Sequence, residues 1–179
     1  MHRARYLDHF LQSLGKWSGG DSEVLLQMDR YAPDPLYRLI RGDYVKIVNG
    51  EVRLTEFRLT EFLEHDAFLE HRGGCTVEVR PFAWNQCIVK VLCERFDRQA
   101  LEAWAMDWLD TEDAKSKDGD GLRNVIHYLS PPSYPLGKLA FSIDLGTAPV
   151  KALMELIRLL QVEKGTTRVS ISGFWDGGS

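Results

Sequence analysis

Residues 87–109, CIVKVLCERFDRQALEAWAMDWL, and residues 139–161, LAFSIDLGTAPVKALMELIRLLQ, carry one pattern of apolar side chains twice. A shift of 52 residues, without a gap, places the main apolar positions of the first stretch on those of the second. Early in each stretch the apolar side chains alternate, which is typical of a strand. Later they recur at the i, i+3, i+4 and i+7 spacing of a helix. These helix positions are Leu101, Trp104, Ala105 and Trp108 in the first copy and Leu153, Leu156, Ile157 and Leu160 in the second.

Together with this duplication, the neighbouring segments predict a fold class. Strands are predicted at 76–80, 87–93, 124–129, 138–144 and 167–172, and helices at 96–110 and 148–162. Residues 87–172 therefore predict the β-α-β-β-α-β order of a ferredoxin-like fold. In such an α+β fold we expect one antiparallel sheet with both helices on one of its faces.

The N-terminal part of the chain is predicted to extend or cover that sheet. Residues 3–15 predict an amphipathic helix, since Leu7, Phe10 and Leu11 have helical spacing. Asn49-Gly50 predicts a β-hairpin between 44–48 and 51–55, and residues 21–43 resemble a loop with a short apolar turn.

A tandem repeat, RLTEF-RLTEF, occupies residues 53–62. Its first copy is predicted to end the hairpin, and its second to open a helix at Thr60 that runs to His71 and stops at Gly73-Gly74. We expect a single α+β domain over residues 1–179. Its N-terminal helix, hairpin and second helix lie in 1–72, and its duplicated strand–helix core lies in 75–172.

Composition and charge exclude several classes of protein. The 179 residues are 44% apolar and carry a net charge of −4, so the chain predicts a globular fold with no basic surface for nucleic acid. The strand at 124–129 also lacks the basic and aromatic signature of an RNA-recognition module. No segment approaches the ~18 apolar residues of a membrane span, and the N-terminus lacks the apolar run of a signal peptide, so we expect a cytoplasmic protein without membrane contact.

Motifs for catalysis, cofactors and metals are missing from the sequence. It contains no G-x-S-x-G, no G-x-G-x-x-G and no P-loop, and we predict neither an enzyme nor a cofactor. Cys75, Cys87 and Cys93 have no zinc spacing and are predicted to be buried free thiols. His65 and His71 are six residues apart on their predicted helix, which does not suit a metal pair.

The local sequence also bears on calcium binding and on the role of His127. The segment from Asp118 to Gly121 resembles part of a calcium loop but has Leu129 where the bidentate Glu would stand, so we predict no metal. His127 alternates with apolar neighbours on its strand and is predicted to be a half-buried, hydrogen-bonded residue.

The most acidic part of the chain runs from residue 102 to residue 120. Its seven carboxylates face only Lys115 and Lys117, a local balance of −5. Such a surface is typical either of a solvated helix end or of a docking site for a basic protein. Trp84 and Trp175 lie in predicted loops, where exposed tryptophans are typical of interface anchors, although packing against the sheet explains them equally well. The predicted partner-binding residues are Trp84, Asp107, Asp110, Glu112, Asp113, Asp118, Asp120 and Trp175.

The segment Phe141-Ser-Ile-Asp-Leu-Gly146, followed by Ala148-Pro-Val-Lys-Ala-Leu153, resembles the strand–helix segment of immunity protein family 52. Proteins of that kind belong to bacterial polymorphic-toxin and type VI secretion systems. The resemblance covers the C-terminal half of the chain and carries over no functional residue. It implies a cytoplasmic, non-enzymatic protein that binds a cognate toxin, a nuclease, and occludes it.

Two alternatives remain open at the level of sequence. A ferredoxin-like sheet can bind a small metabolite, as a sensor or an enzyme, and His127, Tyr128 and Ser142 would then line a pocket. A pocket that holds these side chains favours this alternative, whereas a flat acidic face favours the toxin inhibitor. The third possibility is a subunit of a homo-oligomeric assembly.

Overall fold

In the computed structural model, residues 2–28, 34–57, 59 and 67–173 are described. Within them the chain forms three α-helices and two β-sheets of three and six strands. The helices are α1 (His2–Leu14), α2 (Arg98–Leu109) and α3 (Val150–Gln161). The strands are β1 (Asp21–Gln27), β2 (Leu39–Val48), β3 (Glu51–Thr55), β4 (Phe68–Arg72), β5 (Cys75–Val79), β6 (Cys87–Leu92), β7 (Tyr128–Leu129), β8 (Lys138–Asp144) and β9 (Arg168–Ser172).

The larger sheet contains the predicted ferredoxin-like arrangement. Its strand order is β4-β5-β9-β6-β8-β7, and the last four strands pair antiparallel as expected for the β-α-β-β-α-β order. The β4–β5 hairpin extends this sheet, with β5 parallel to β9. The α+β fold class is therefore confirmed.

One face of the larger sheet is covered by α2 and α3. The duplicated apolar positions of both helices are buried in one core with the inward side chains of β6, β8 and β9. The helices lie side by side, since the indole N–H of Trp104 donates to the Ala152 carbonyl over 3.3 Å. The two copies of the pattern thus meet in the core.

The smaller sheet has the order β1-β2-β3 and contains the predicted hairpin at Asn49-Gly50. Both turn residues have positive φ, 53° and 83°, as a type I′ turn requires. The N–H of Arg41 on β2 donates to the carbonyl of His127, which joins this sheet to the segment before β7. Helix α1 packs Tyr6 and Phe10 into the core; of the predicted stripe only Phe10 is fully buried, while Leu7, Leu11 and Leu14 are partly buried against the core.

The helix predicted at 60–71 is wrong over its described part. Residues 68–72 form β4, which pairs with β5, while residues 60–66 lie outside the described residues. Gly73 and Gly74 both have positive φ, 59° and 84°, and connect Arg72 to its strand partner Cys75 as a hairpin turn. These glycines therefore turn a hairpin and do not end a helix.

Two other predictions need correction. Residues 21–27 were expected in a loop but form β1 against β2, and β2 itself begins at Leu39. The strand predicted at 124–129 contains only Tyr128–Leu129, because the preceding backbone bonds to other partners. The N–H of Ile126 donates to Trp108, and the carbonyl of Val125 accepts from Ala148.

Candidate functional site

His127 is buried between two carboxylates that come from the smaller sheet. Its Nε2 lies 3.1 Å from Oε1 of Glu23, and its Nδ1 lies 2.7 Å from Oδ1 of Asp43. The first contact is a hydrogen bond, and the second is a close ion pair. Phe10 of α1 packs edge-on against the imidazole, with ring centroids 6.0 Å apart. The imidazole is thus fixed by the smaller sheet and by α1.

Glu23 reaches this position through an unusual backbone conformation. Its φ of 55° is left-handed, and the strand pairing passes from Ser22↔Tyr44 to Val24↔Gly42 without pairing Glu23 to Asp43. The carboxylate accepts from the N–H of Arg123 and the hydroxyl of Thr147 as well as from His127. A buried side chain and a left-handed backbone at a non-glycine residue are found where surrounding contacts hold the strain.

The electrostatic environment favours the charged forms of His127 and Glu23. Burial by itself disfavours the His127 imidazolium, but Asp43 and Glu23 outweigh it and raise the pKa of His127 well above its ordinary value. Burial also disfavours the Glu23 carboxylate, yet His127, the Arg123 N–H and Thr147 lower the pKa of Glu23. His127 therefore stands as a cation between two carboxylates at neutral pH.

Gly146 allows the imidazole to pack closely on the loop that follows β8. Its φ is +48°, and a Cβ at this position would stand 2.2 Å from Cδ2 of His127. The same loop provides Thr147, whose hydroxyl also accepts the N–H of Val125 over 3.2 Å. Residues 144–147 therefore form one wall of the cluster.

Asp144, at the end of β8, adds a third carboxyl group. Its carbonyl accepts the N–H of His127 over 2.9 Å, and its Oδ1 accepts the N–H of Gly146 over 2.8 Å. Burial of the carboxyl raises the pKa of Asp144 to about 7, assisted by Asp43 and opposed by His127. A carboxyl with this pKa is present in both protonation states near neutral pH, so it can give or take a proton.

A cleft of about 320 Å³ opens beside these groups, between the two sheets. Its apolar walls come from Met28, Ile40, Gly42, Leu54, Phe57 and Ile143. Its polar walls come from Arg41, Asp43, Glu56, Asn85, Gln86, His127, Tyr128, Ser142 and Asp144. The three residues of the small-molecule alternative, His127, Tyr128 and Ser142, are brought together here.

One buried acceptor atom at the cleft lacks a hydrogen bond. It is Oδ1 of Asn85, which receives no donor within the described part of the chain, whereas Oδ1 of Asp43 is paired with Nδ1 of His127 over 2.7 Å. Asn85 lies in a tight turn, in which the N–H of Gln86 donates to Ala83, and the Trp84 carbonyl accepts from Leu145. The turn is thereby held against the end of β8. Buried polar atoms without partners are uncommon and call for an explanation.

Arg41 lines the cleft, but its guanidinium binds groups at the C-terminal end of α2. It donates to the carbonyls of Leu109 and Glu23 over 2.9 and 3.0 Å, and to the Asp110 carbonyl. It also pairs with the carboxylates of Asp110, at 3.2 Å, and Asp113. This cation is therefore used within the fold.

The acidic residues predicted from the sequence divide into those that bind partners within the fold and those without an ion-pair partner among the described residues. Asp110 is only 5% exposed, adopts a left-handed conformation at the end of α2 and binds Arg41 and two loop N–H groups. Asp113 pairs with Arg41, which lowers its pKa. The Asp118 carboxylate accepts the N–H groups of Asp120 and Leu122, both over 3.0 Å. Asp107, Glu112 and Asp120 have exposed side chains without an ion-pair partner among the described residues.

Of the two tryptophans predicted to be exposed interface anchors, the structure describes one. Trp84 is 3% exposed and stacks against Phe82 in the core, so its proposed role as an exposed anchor is wrong. Trp175 lies outside the described residues.

The other titratable residues carry no second site. All three cysteines are free and buried, as predicted. His71 lies on β4 and contacts the Thr76 hydroxyl at 3.0 Å, while His65 lies outside the described residues. Searching the described ranges finds no group of three or more His, Cys, Asp or Glu placed to hold a metal ion. Nor does any helix in them have the length and apolar content for crossing a bilayer.

Comparison of the chain with protein-family models, curated proteins and solved structures finds no match.

Sequence reasoning found His127 but missed its partners. Glu23 and Asp43 lay in a segment interpreted as a loop, 104 and 84 positions from His127 in the chain. The only available signal was a charged residue next to an apolar one in both segments, Glu23 before Val24 and Asp43 before Tyr44. That pattern is common on exposed strands and does not identify a buried contact.

Proposed function

We propose that this protein binds a small organic molecule in the cleft between its two sheets. The observation that carries the proposal is the cleft, whose apolar walls meet a few convergent polar groups beside a rigid, buried histidine. This combination is typical of ligand sites. The strained Glu23 backbone and the tight contact of Gly146 with His127 support it, because such features hold binding groups in place.

Binding fits the cluster better than catalysis by the histidine. Both ring nitrogens of His127 are directed at carboxylates, so neither is offered to a ligand as a base. Its role in the proposal is to hold Asp43 and Asp144 at the wall of the cleft.

Ser142→Phe tests the proposal by filling the cleft. Ser142 is half-buried on the outward side of β8. A fragment panel of amines, alcohols, carboxylates and amides is screened by thermal shift, and we expect some members to raise the Tm of the wild type but not that of Ser142→Phe. Ser170→Phe is the matched control, since Ser170 is half-buried on the outward side of β9 and outside the cleft. A panel that stabilises none of the three proteins, or all three equally, contradicts the proposal.

A second candidate is the toxin inhibitor that the resemblance implies. In this proposal the protein is a cytoplasmic immunity protein that covers the basic groove of a nuclease toxin. The observation that favours it is the group of exposed carboxylates at Asp107, Glu112 and Asp120. Of the two lysines of this segment, Lys117 pairs with Asp21, while Lys115 lies over the Trp108 ring and donates to the Asp107 carbonyl. The surface therefore keeps a local negative charge that can steer a basic partner.

Charge reversal tests this second candidate after co-expression with the product of the adjacent gene. Asp107, Glu112 and Asp120 are changed to Lys, which leaves Asp110 and Asp113 paired with Arg41. We expect capture of the neighbouring protein to fall and its association rate to drop. Reversal of the exposed Glu51, Glu70 and Glu94 is the control with the same change in charge. Equal loss in both triple variants, or a harmless and unbound neighbour, contradicts this candidate.

A further inference from the structure

Strand β3 forms an open edge of the smaller sheet, because β2 is its only strand neighbour in the described part of the chain. Val48 and Glu51 flank the two-residue turn and are the bonded pair that closes a type I′ hairpin. Bonded and non-bonded pairs alternate along antiparallel strands, so the N–H and carbonyl of Val52 face away from β2. The edge can therefore accept another strand, with a donor and an acceptor at Val52.

One face of this edge carries an exposed apolar pair. Val52 is 62% exposed, and Ile47, its partner on β2, is 73% exposed. Directly paired residues of an antiparallel sheet have their side chains on the same face. An open edge with exposed apolar side chains is a template for pairing with another chain.

The charges on the opposite face of β3 fit a second copy of the same strand. If two copies pair antiparallel about a two-fold axis at Val52, Glu51 of each copy lies opposite Arg53 of the other. Opposite charges in facing positions stabilise a sheet, whereas like charges destabilise it. An axis at Glu51 or Arg53 brings like charges together, and an axis at Leu54 pairs neither charge with the other. Of these four registers, that at Val52 alone pairs opposite charges.

The edge strand of the larger sheet, β4, fits a second copy less well. Its sequence Glu70-His71-Arg72 also allows Glu70 to face Arg72 of another copy, but this register places His71 opposite itself. Phe68 and Leu69 are both exposed, yet neighbouring residues of a strand point to opposite faces. They therefore form no joint apolar surface, and the comparison favours β3.

We propose that two copies of this chain associate through β3, antiparallel about a two-fold axis at Val52, into one continuous sheet with three strands from each copy. Ile47 and Val52 of both copies form an apolar stripe on one face of the joined sheet. Two Glu51–Arg53 pairs lie on the other face, as the symmetry of such an interface requires. This association does not depend on a ligand in the cleft, so its failure leaves the proposed function intact.

Single charge reversals test the register by sedimentation equilibrium. Glu51→Arg and Arg53→Glu each replace two attractive pairs by two repulsive ones, so we expect each to weaken self-association at least about tenfold. An equimolar mixture of the two variants restores opposite charges and should associate about as tightly as the wild type. The variant that carries both changes should do the same, because it is again self-complementary.

Val52→Lys tests the axis itself, because it places two ammonium groups in facing positions, and it should abolish the dimer. Leu69→Lys is the matched control, since Leu69 on β4 is 54% exposed. Thermal unfolding checks that each variant folds. A wild type that stays monomeric at millimolar concentration would overturn the inference. A dimer that Leu69→Lys breaks and Val52→Lys leaves intact, or one that both single charge reversals leave intact, would overturn it as well.

Discussion

At Glu23 a strand contains a left-handed residue that is not glycine, and the carboxylate that results is completely buried. Such a conformation costs about 1–3 kcal/mol. The hydrogen bonds from His127, Thr147 and the Arg123 backbone offset this cost. A single residue thereby links β1, the loop after α2 and the loop after β8 at one point.

Gly146→Ala should disrupt the cluster from the opposite side. An alanine at this position must keep the left-handed backbone, which costs about 1–2 kcal/mol. Its Cβ also collides with the His127 ring. We expect a loss of about 3 kcal/mol or more in the free energy of unfolding, measured by urea denaturation. Gly50→Ala is the matched control, because Gly50 also has positive φ but no atom within 4 Å of its Cβ position. Equal losses in the two variants would show that close packing of Gly146 against the His127 ring contributes nothing to the free energy of unfolding.

Asp144→Asn should change how stability depends on pH. The folded state raises the pKa of this carboxyl from about 4 to about 7, so it holds the proton more tightly than the unfolded chain does. The stability that this proton contributes is present at low pH and is lost as the pH rises towards about 7. The amide stays neutral, so the variant should gain stability relative to the wild type as the pH rises from about 4 to about 7. Thermal unfolding across this range measures the difference, with Asp8→Asn as the control, and a constant difference would contradict the assignment.

The C-terminal end of α2 is stabilised by a cation from another element. The carbonyls of Leu109 and Asp110 both accept from the Arg41 guanidinium, which lies where the helix dipole is negative. The Asp110 carboxylate in turn orders the loop N–H groups of Ala114 and Lys115. Strand β2 therefore fixes both the end of α2 and the acidic loop that follows it.

Arg41→Met should leave the Asp110 carboxylate buried without its cation. We expect a loss of about 3–5 kcal/mol in the free energy of unfolding. In hydrogen exchange, the amides of residues 110–115 should lose protection. Arg98→Met is the control, because Arg98 is half exposed in its ion pairs with Glu102 and Asp34, and such pairs contribute at most about 1 kcal/mol. Similar losses for both arginines would contradict the role of Arg41 as a buried cap.

Across the whole molecule, the sequence predicted what depends on local periodicity. The ferredoxin-like order follows from strand and helix patterns that each copy carries within about 25 residues. The hairpin at Asn49-Gly50 is equally local. By contrast, β4 and β1 were missed. Gly-Gly both stops helices and turns hairpins, and the left-handed Glu23 breaks the alternation of β1.

The candidate site was less predictable because it joins distant segments. His127, Tyr128 and Ser142 were grouped correctly, since neighbouring strands of the predicted sheet bring them together. Asp43 and Glu23 approach His127 only through the packing of the smaller sheet, which no local pattern encodes. Trp84 and Asp110 were expected at the surface because loop residues usually lie there, yet a tight turn and a buried arginine draw them inward.

NMR mapping of ligand contacts tests the central claim, that the cleft around Asp144 and His127 is the binding site. The ¹⁵N-labelled protein is titrated with the fragments that raise its Tm, and amide shifts are followed over the whole chain. The account predicts shifts concentrated at residues 40–43, 85–86, 127–128 and 142–146, on both sheets that form the cleft. Shifts concentrated at residues 107–120, or spread over the surface without a focus, would contradict it.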